Sequence, residues 1–430
     1  MGQKKRRGLV KIGLLLFTAV AIGLLILALF PQIGAKAAKP LRSIIGNEGV
    51  GRLETMYFTL QDTARQTQYQ AGLAQVSAPW EVTAVPLPPT PATPTFTPTP
   101  SPSNTNTPAA MQPIVTSTAG SASPTPLPTT TPSPTPTAVP SPTPWTLPPL
   151  TPVGTLTGEG VWQPYLFNPE GEVVAVRTFL QPDPARPYAL AAIVAFDLRK
   201  TQLHYVLGSE EPALPDGPRG YGLMNADHKL PGSLLATFNG GFMASHGAYG
   251  AMADGLVVLP AKDGYATVTM GKEDGRIQIG EWGGDILTEG AYQSWRQNAR
   301  LITQNGQITD RVYNGSATTW GSSINGDVVT WRSALGLSED GLILYFAAGP
   351  SLSMPALAEA MQTVGAYNSL LLDINETWVH FAAIRAEGET LVAEPLLPEG
   401  MSSNPDRYLK QSQRDFFYVT VREPVPAPQP

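Results

Sequence analysis

The chain has 430 residues and no cysteine. That absence excludes disulfides, thiolate catalysis and Cys-ligated zinc or iron–sulfur centres. Charge is scarce too. Asp, Glu, Lys and Arg make up 14% of the residues, against the usual quarter or so. Clustered carboxylates and amides would suit Ca²⁺, but no calcium-loop spacing is present, and no metal or other cofactor is assigned. Basic residues are short where a nucleic-acid partner would need them. Residues 1–152 hold 10 of the 28 Lys/Arg and 4 of the 34 Asp/Glu, which leaves residues 153–430 with a formal charge of −12. Nucleic acid is a poor partner for so acidic a segment.

Proline is present in excess, at 44 residues, and is concentrated between Pro79 and Pro152. Stretches such as Thr93-Pro94-Thr95-Phe96-Thr97-Pro98 cannot build a core and favour extended polyproline II, at about 3.1 Å per residue. Residues 79–152 are therefore read as a disordered Pro/Thr/Ser-rich linker, a spacer reaching on the order of 200 Å when extended. At the other end, Lys4, Lys5, Arg6 and Arg7 precede an apolar run from Ile12 to Phe30. A helix of that length, at about 1.5 Å per residue, spans a bilayer core, and the basic cluster keeps its start in the cytoplasm. Residues 1–40 are read as a transmembrane signal-anchor. A cleaved signal peptide competes, because Ala35-Lys36-Ala37 is a small-x-small site. Either reading places the rest of the chain outside the cytoplasm, and the first makes it a single-pass protein of the cell membrane. Residues 41–78 read as a juxtamembrane stalk with a helix around Leu53–Leu73, and residues 424–430 as a disordered tail.

Residues 153–423 are long enough to bury one core. Apolar or alternating runs predict strands over 172–180, 188–197, 203–207, 234–238, 256–259, 266–270 and 276–279. Asp274-Gly275 marks a hairpin. A helix is expected over 291–300. The clearest helix runs over 354–364, with Ser353 as cap, Pro355 in the first turn and Met354, Leu357, Met361 and Val364 on one face. It joins strands at 342–347 and 369–372 as a crossover. The fold class is α+β, a strand-rich mixed sheet domain with few helices.

Three segments join an apolar run to concentrated polar residues: Phe238 to Phe242, Trp331 to Gly336, and Leu370 to Phe381. Asn239, Gly240 and Gly241 read either as a tight turn or as a close backbone approach whose N–H groups cradle an anion. His246 lies in the small-residue loop that follows. Asp254-Gly255 is a turn, or a further carboxylate. Arg332 offers a planar donor fork to a phosphate or carboxylate, with a surface ion pair as the plainer alternative. Asp373 follows three leucines. Asp373 and Glu376 are candidates for acid–base or nucleophilic chemistry on a sugar, with His380 sharing a proton and Asn375 and Trp378 binding substrate. On an extended backbone Asp373 and Asn375 share one face, while Glu376, Trp378 and His380 share the other. Their convergence therefore needs a turn at Asn375.

Taken together, Asn239-Gly240-Gly241-Phe242, Asp254-Gly255, Arg332-Ser333-Ala334-Leu335-Gly336, the helix with Leu357 and Gly365, and Leu372-Asp373 resemble the phosphodiester glycosidase family. The likeness covers roughly residues 153–422. The family commonly continues from the aspartate as Asp-Gly-Gly-Gly-Ser, whereas this chain reads Asp373-Ile374-Asn375-Glu376-Thr377, as in a divergent bacterial branch. The resemblance implies hydrolysis of a sugar-1-phosphodiester at the glycosidic bond. It gives Arg332 and the Asn239-Gly240-Gly241 turn to the phosphate, and Asp373 or Glu376 to the anomeric carbon. Placement outside the membrane suggests a phosphorylated envelope glycan as substrate. A non-catalytic glycan-binding module on a stalk and a structural envelope component are the competing readings.

Overall fold

The computed structural model describes residues 31–81, 145–315, 320, 328–374 and 376–422. The expected membrane anchor over 12–30, most of the Pro-rich tract, Asn375 and the tail after Arg422 lie outside the described residues. Among the described residues no helix is long and apolar enough to cross a membrane.

The described residues begin with α1 (Pro31–Gln70), broken at Gly46. Four strands follow: β1 (Gln163–Phe167), β2 (Val173–Leu180), β3 (Ala191–Asp197) and β4 (Thr201–Val206). Next come β5 (Leu234–Asn239), β6 (Ala251–Ala253), β7 (Leu256–Leu259), β8 (Ala266–Gly271) and β9 (Ile277–Glu281). β10 (Tyr292–Asn298), β11 (Leu301–Gln304) and β12 (Gln307–Ile308) lead to the one-turn α2 (Arg311–Asn314). Then β13 (Thr330–Leu337), β14 (Ile343–Leu352), α3 (Met354–Thr363) and β15 (Asn368–Ile374) form one continuous unit. β16 (Phe381–Glu387), β17 (Thr390–Pro395), the short α4 (Pro398–Met401) and β18 (Phe416–Val421) close the fold. The α+β, strand-rich expectation holds. The helix expected over 291–300 is instead strand β10, paired with β6 and β8.

The strands form three antiparallel sheets. One has eight strands in the order β1-β2-β3-β14-β13-β15-β11-β12. The others have five each, β7-β6-β10-β8-β9 and β17-β16-β5-β18-β4. β14 and β15 both run antiparallel to β13, which lies between them. They are therefore parallel to each other, and α3 is the crossover that parallel strands require. Ser353 Oγ accepts a hydrogen bond from the Ala356 N–H and caps that helix. Every residue of β13 is buried because the sheet is covered on both faces. Ala334 faces the layer of Leu357 and Met361 from α3. Leu335 faces a second layer where Phe238, Phe346, Phe381 and Phe417 pack. Gly336 leaves room beside α3, since a Cβ there would stand 2.8 Å from Ala366 Cβ.

The folded body begins earlier than the sequence suggests. Trp145, Leu147 and Leu150 pack against the α3-side core, so the boundary lies near residue 145 rather than 153. The stalk is part of the body as well. Asp62 accepts hydrogen bonds from Arg186 Nε and Tyr188 Oη, and Arg65 Nη1 donates to Ser351 Oγ. Trp80 packs edge-on to Phe179, and the Arg177 guanidinium lies 4.3 Å from the Trp80 ring. Both flanks of the Pro-rich tract, Trp80 and Trp145, thus rest on one body. The described residues on either side of the tract belong to one compact unit.

Candidate active site

The three sheets meet where β5, β10 and β15 end and β18 begins. Asp373 sits at a bulge in β15, where the register against β13 slips between the Ala334–Leu371 and Arg332–Ile374 pairs. Its N–H donates to the Gly240 carbonyl, and its own carbonyl accepts from Ser333 Oγ at 2.8 Å. Asn239 Nδ2 donates to that same Ser333 oxygen at 3.0 Å, and Asn239 Oδ1 accepts the His380 N–H. The amide and the acid thus belong to one network, with Ser333 as the link. Asn239 is 2% exposed and fastens β5, β13 and the start of β16 together.

Two ion pairs occupy the junction. The inner one joins Arg296 Nε to Asp415 Oδ2 at 2.7 Å, with both side chains at most 1% exposed. Tyr205 Oη and the Gly241 N–H donate to the same carboxylate oxygen, and the Gly240 N–H donates to the Asp415 carbonyl. Arg296 also donates to the carbonyls of Tyr249, Phe242 and Gln297. Burial lowers the Arg296 pKa, yet Asp415 and Tyr205 outweigh it and hold it above its ordinary value. The glycines exist for this pair. A Cβ on Gly240 would lie 2.5 Å from the Asp415 carboxylate, and one on Gly241 would lie 2.9 Å from Arg296 Nη2. The N–H groups of Gly240 and Gly241 thus both meet the chain's own Asp415, the first at its backbone carbonyl and the second at its carboxylate.

The outer pair joins Arg414 Nη2 to Asp373 Oδ2 and opens narrowly to solvent, the side chains being 10% and 9% exposed. Arg414 Nη2 also donates to the Gly241 carbonyl, and Asp373 Oδ1 accepts from the Ile374 N–H. Burial pushes the Asp373 carboxyl up to about 6, against the opposing pull of Arg414. Arg414 Cζ lies 4.5 Å from the centre of the half-buried Trp378 ring. Its Nε and Nη1 are buried without a hydrogen-bond partner among the described residues. A buried guanidinium with two idle donors under an aromatic ring is equipped to take an anionic oxygen.

The remaining expected residues disperse. Arg332 is 1% exposed and donates to the Leu352 and Val328 carbonyls, tying strand ends together on the α3 face of β13, opposite Ser333. The cation bonded to Asp373 is Arg414, in the place the sequence reading gave to Arg332. His380 is fully buried, with Nε2 3.2 Å from the Pro405 carbonyl, and burial and nearby Arg407 push its pKa down to about 3. It stays neutral at ordinary pH, and its backbone rather than its ring serves the site. Glu376 and Trp378 lie half-buried in the turn after β15. His246 ends a 3-10 turn with its ring edge-on to Phe242. Asp254 is exposed in the β6–β7 turn and bonded by Gln293. Among the described residues no three His, Asp or Glu side chains cluster as a metal site would require.

Arg414, Asp415, Arg296 and the role of Ser333 were missed in the sequence. One signal was there: Arg414-Asp415 runs straight into Phe416-Phe417-Tyr418, the same junction of charge and strand that marked Asp373.

Residues 233–373 match the family model described as phosphodiester glycosidase. The match is confined to that stretch of the chain. The matched stretch opens at β5 and closes on Asp373, so it includes Asn239, Arg296, Ser333 and Arg332. Arg414 and Asp415, which complete both ion pairs, lie beyond it. Among solved structures, the chain is similar to the catalytic domain of zebrafish N-acetylglucosamine-1-phosphodiester alpha-N-acetylglucosaminidase, auto-inhibited by its pro-peptide. That likeness has 15% identity, spans 61% of this chain and 88% of that one, and has a TM-score of 0.38. A hypothetical protein from Synechocystis is 12% identical over 61% of this chain and 62% of that one, with a TM-score of 0.36. A putative exported protein from Burkholderia pseudomallei is 11% identical over 54% and 74%, with a TM-score of 0.29. No curated protein matches the chain.

Proposed function

We propose that the protein hydrolyses a sugar-1-phosphodiester at its glycosidic C–O bond, acting on a phosphorylated envelope or extracellular glycan outside the cytoplasm. The reading is carried by the Asp373–Arg414 pair at the mouth of the junction, at the residue where the family match ends. Nε and Nη1 of Arg414 bind the phosphate oxygens. Asp373, ionised above about pH 6, acts at the anomeric carbon, and Trp378 gives the sugar an apolar platform. Glu376, in the turn beside Trp378, supplies the second carboxyl, protonating the bridging oxygen as it leaves. The C1–O bond breaks with its electron pair going to that oxygen, which departs on a phosphate monoester. Water supplies the new hydroxyl on C1. The basic cluster Lys4–Arg7 and the apolar run Ile12–Phe30 support display from a membrane anchor.

The test is the full chain with a methyl diester of a sugar-1-phosphate in 18O-labelled water. Reducing sugar appears, with the label in the sugar rather than in phosphate. Asp373→Asn and Arg414→Ala each lower turnover by about 10²-fold or more while the thermal unfolding transition persists. Label in phosphate, or full turnover in both variants, overturns the assignment. Saturable glycan binding with no turnover would favour the binding-module reading, which the missing glycines after Asp373 support.

A further inference from the structure

Asp254-Gly255 is singled out by the sequence but takes no part in the junction around Asp373. The structure places it on a second concavity. A cleft of about 760 Å³ lies between the β8–β10 side of one five-stranded sheet and β4 and β18 of the other. That volume is in the range of small-molecule and glycan sites. Two contacts across the gap hold the sheets apart at one end, from Gln202 Nε2 to the Gly275 carbonyl and from Arg422 Nη1 to the Asp274 carbonyl.

The lining is specific in kind. His204 stacks on Tyr418 at 4.6 Å with 13° between the rings, and the His228 ring lies 4.3 Å from His204. Burial, and then the neighbouring His228, push the His204 pKa down to about 3, so this ring carries no charge at neutral pH. Tyr221, also on the lining, is 83% exposed, an aromatic face with nothing over it among the described residues. Asp254 occupies a left-handed backbone position at φ 49°, strained for a non-glycine residue, and its Oδ1 accepts Gln293 Nε2 at 2.5 Å. Asn225, Gln202, Ser233 and Thr420 add amides and hydroxyls. Acidic side chains on the lining (Asp254, Glu273 and Asp274) outnumber the basic ones (Lys272 and Arg422), which disfavours a phosphate or other anion. Aromatic faces for C–H groups, amides and hydroxyls for polar contacts, and carboxylates to accept hydroxyl protons together suit a sugar without charge.

We propose that this cleft binds a neutral oligosaccharide, as an accessory subsite for the glycan whose phosphodiester end reaches Asp373. Tyr205 joins the two places. It lines the cleft, and its phenol donates to Asp415 at 3.0 Å in the inner ion pair. The inference rests on the proposed function only in taking the substrate to be a glycan.

Calorimetric titration of the full-length Asp373→Asn chain with two neutral probes, chitotetraose and maltotetraose, tests it. At least one binds saturably. Tyr221→Ala and Gln293→Ala, both changes at exposed side chains, each weaken that binding by roughly threefold to tenfold. Binding of neither probe, or affinity unchanged in both variants, overturns the subsite. In the otherwise wild-type chain, Tyr221→Ala leaves turnover of the small methyl diester intact, because that substrate does not reach the cleft. Binding of neither probe by the Asp373→Asn chain, with diester turnover present in the wild-type chain, would sink the subsite alone. Binding with no turnover in the wild-type chain would sink the catalytic reading alone.

Discussion

The two ion pairs at the sheet junction use the same chemistry to different ends. Arg296–Asp415 is sealed, and each partner has further hydrogen bonds: three carbonyls accept from Arg296, while Tyr205 and the Gly240 and Gly241 N–H groups donate to Asp415. Asp373–Arg414 is slightly open, and two guanidinium nitrogens are left idle. A buried pair whose three guanidinium nitrogens are all hydrogen-bonded is fitted to hold structure. One left incomplete beside an opening has somewhere to put a ligand. The inner pair also explains how the outer one stays in place. Asp415 and Arg414 are consecutive, and the carbonyls of Gly240 and Gly241 accept from the Asp373 N–H and from Arg414 in a turn held by Asp415, whose backbone carbonyl accepts the Gly240 N–H and whose carboxylate accepts the Gly241 N–H.

The largest expected effect comes from breaking the sealed pair. Arg296→Ala leaves the Asp415 carboxylate buried without a cation and should cost about 3–5 kcal/mol of unfolding free energy. Denaturant titration of the variant measures this. Arg414→Ala should cost distinctly less, because its carboxylate partner already reaches solvent. Equal losses would erase the distinction between a structural and a functional pair.

The same distinction marks what could be read from the sequence. Asp373 was legible because a carboxylate after Leu370-Leu371-Leu372 breaks an apolar strand where burial would forbid an unpaired charge. The α3 crossover was legible from its cap, its proline and its apolar face. β10 was not. Its Arg296, Gln297 and Asn298 are all buried and bonded to backbone carbonyls, so polarity no longer reports which side faces water. Gly240 and Gly241 were noticed for the right property, close approach, but the approaching group is the chain's own charge. Arg332 was read as a fork for a phosphate or carboxylate, and the structure shows it inside, holding strand ends. Sequence locates strand ends with polar residues. It does not say which of two arginines faces in.

A second, smaller effect is electrostatic. Burial raises the Asp373 pKa from 3.8 to about 6, so the folded state prefers the protonated acid. Stability from this group is complete below about pH 4 and is lost as pH rises through about 6, on the order of 3 kcal/mol in all. His380 and His204 act in the opposite sense. Their folded values are near 3, so they favour folding above pH 6.5 and lose that contribution as pH falls. The difference in unfolding free energy between wild type and Asp373→Asn cancels the histidines. It should fall between pH 4 and pH 7, while turnover of the wild type rises through about pH 6 as the carboxylate ionises. A difference independent of pH would mean that Arg414 holds Asp373 ionised throughout, making the outer pair as closed as the inner one.

The smallest effect sharpens the comparison most, because it touches only the opening. The Trp378 ring lies 4.5 Å from Arg414 Cζ and, among the described residues, has no counterpart over Arg296, whose guanidinium donates to three backbone carbonyls. Trp378→Ala removes a cation–π contact worth about 0.5–1 kcal/mol and exposes Nε and Nη1 of Arg414 to water. Stability should change little. Binding should change more, because a hydrated guanidinium competes with solvent for the phosphate and the sugar loses its platform. The expected signature is a KM raised several-fold with the unfolding midpoint nearly fixed, and partial recovery in Trp378→Phe, which restores a ring face but not the indole N–H. If Trp378→Ala instead lowers stability as far as Arg414→Ala does and leaves KM alone, the ring is a lid on a structural pair. The opening at Asp373 would then be incidental.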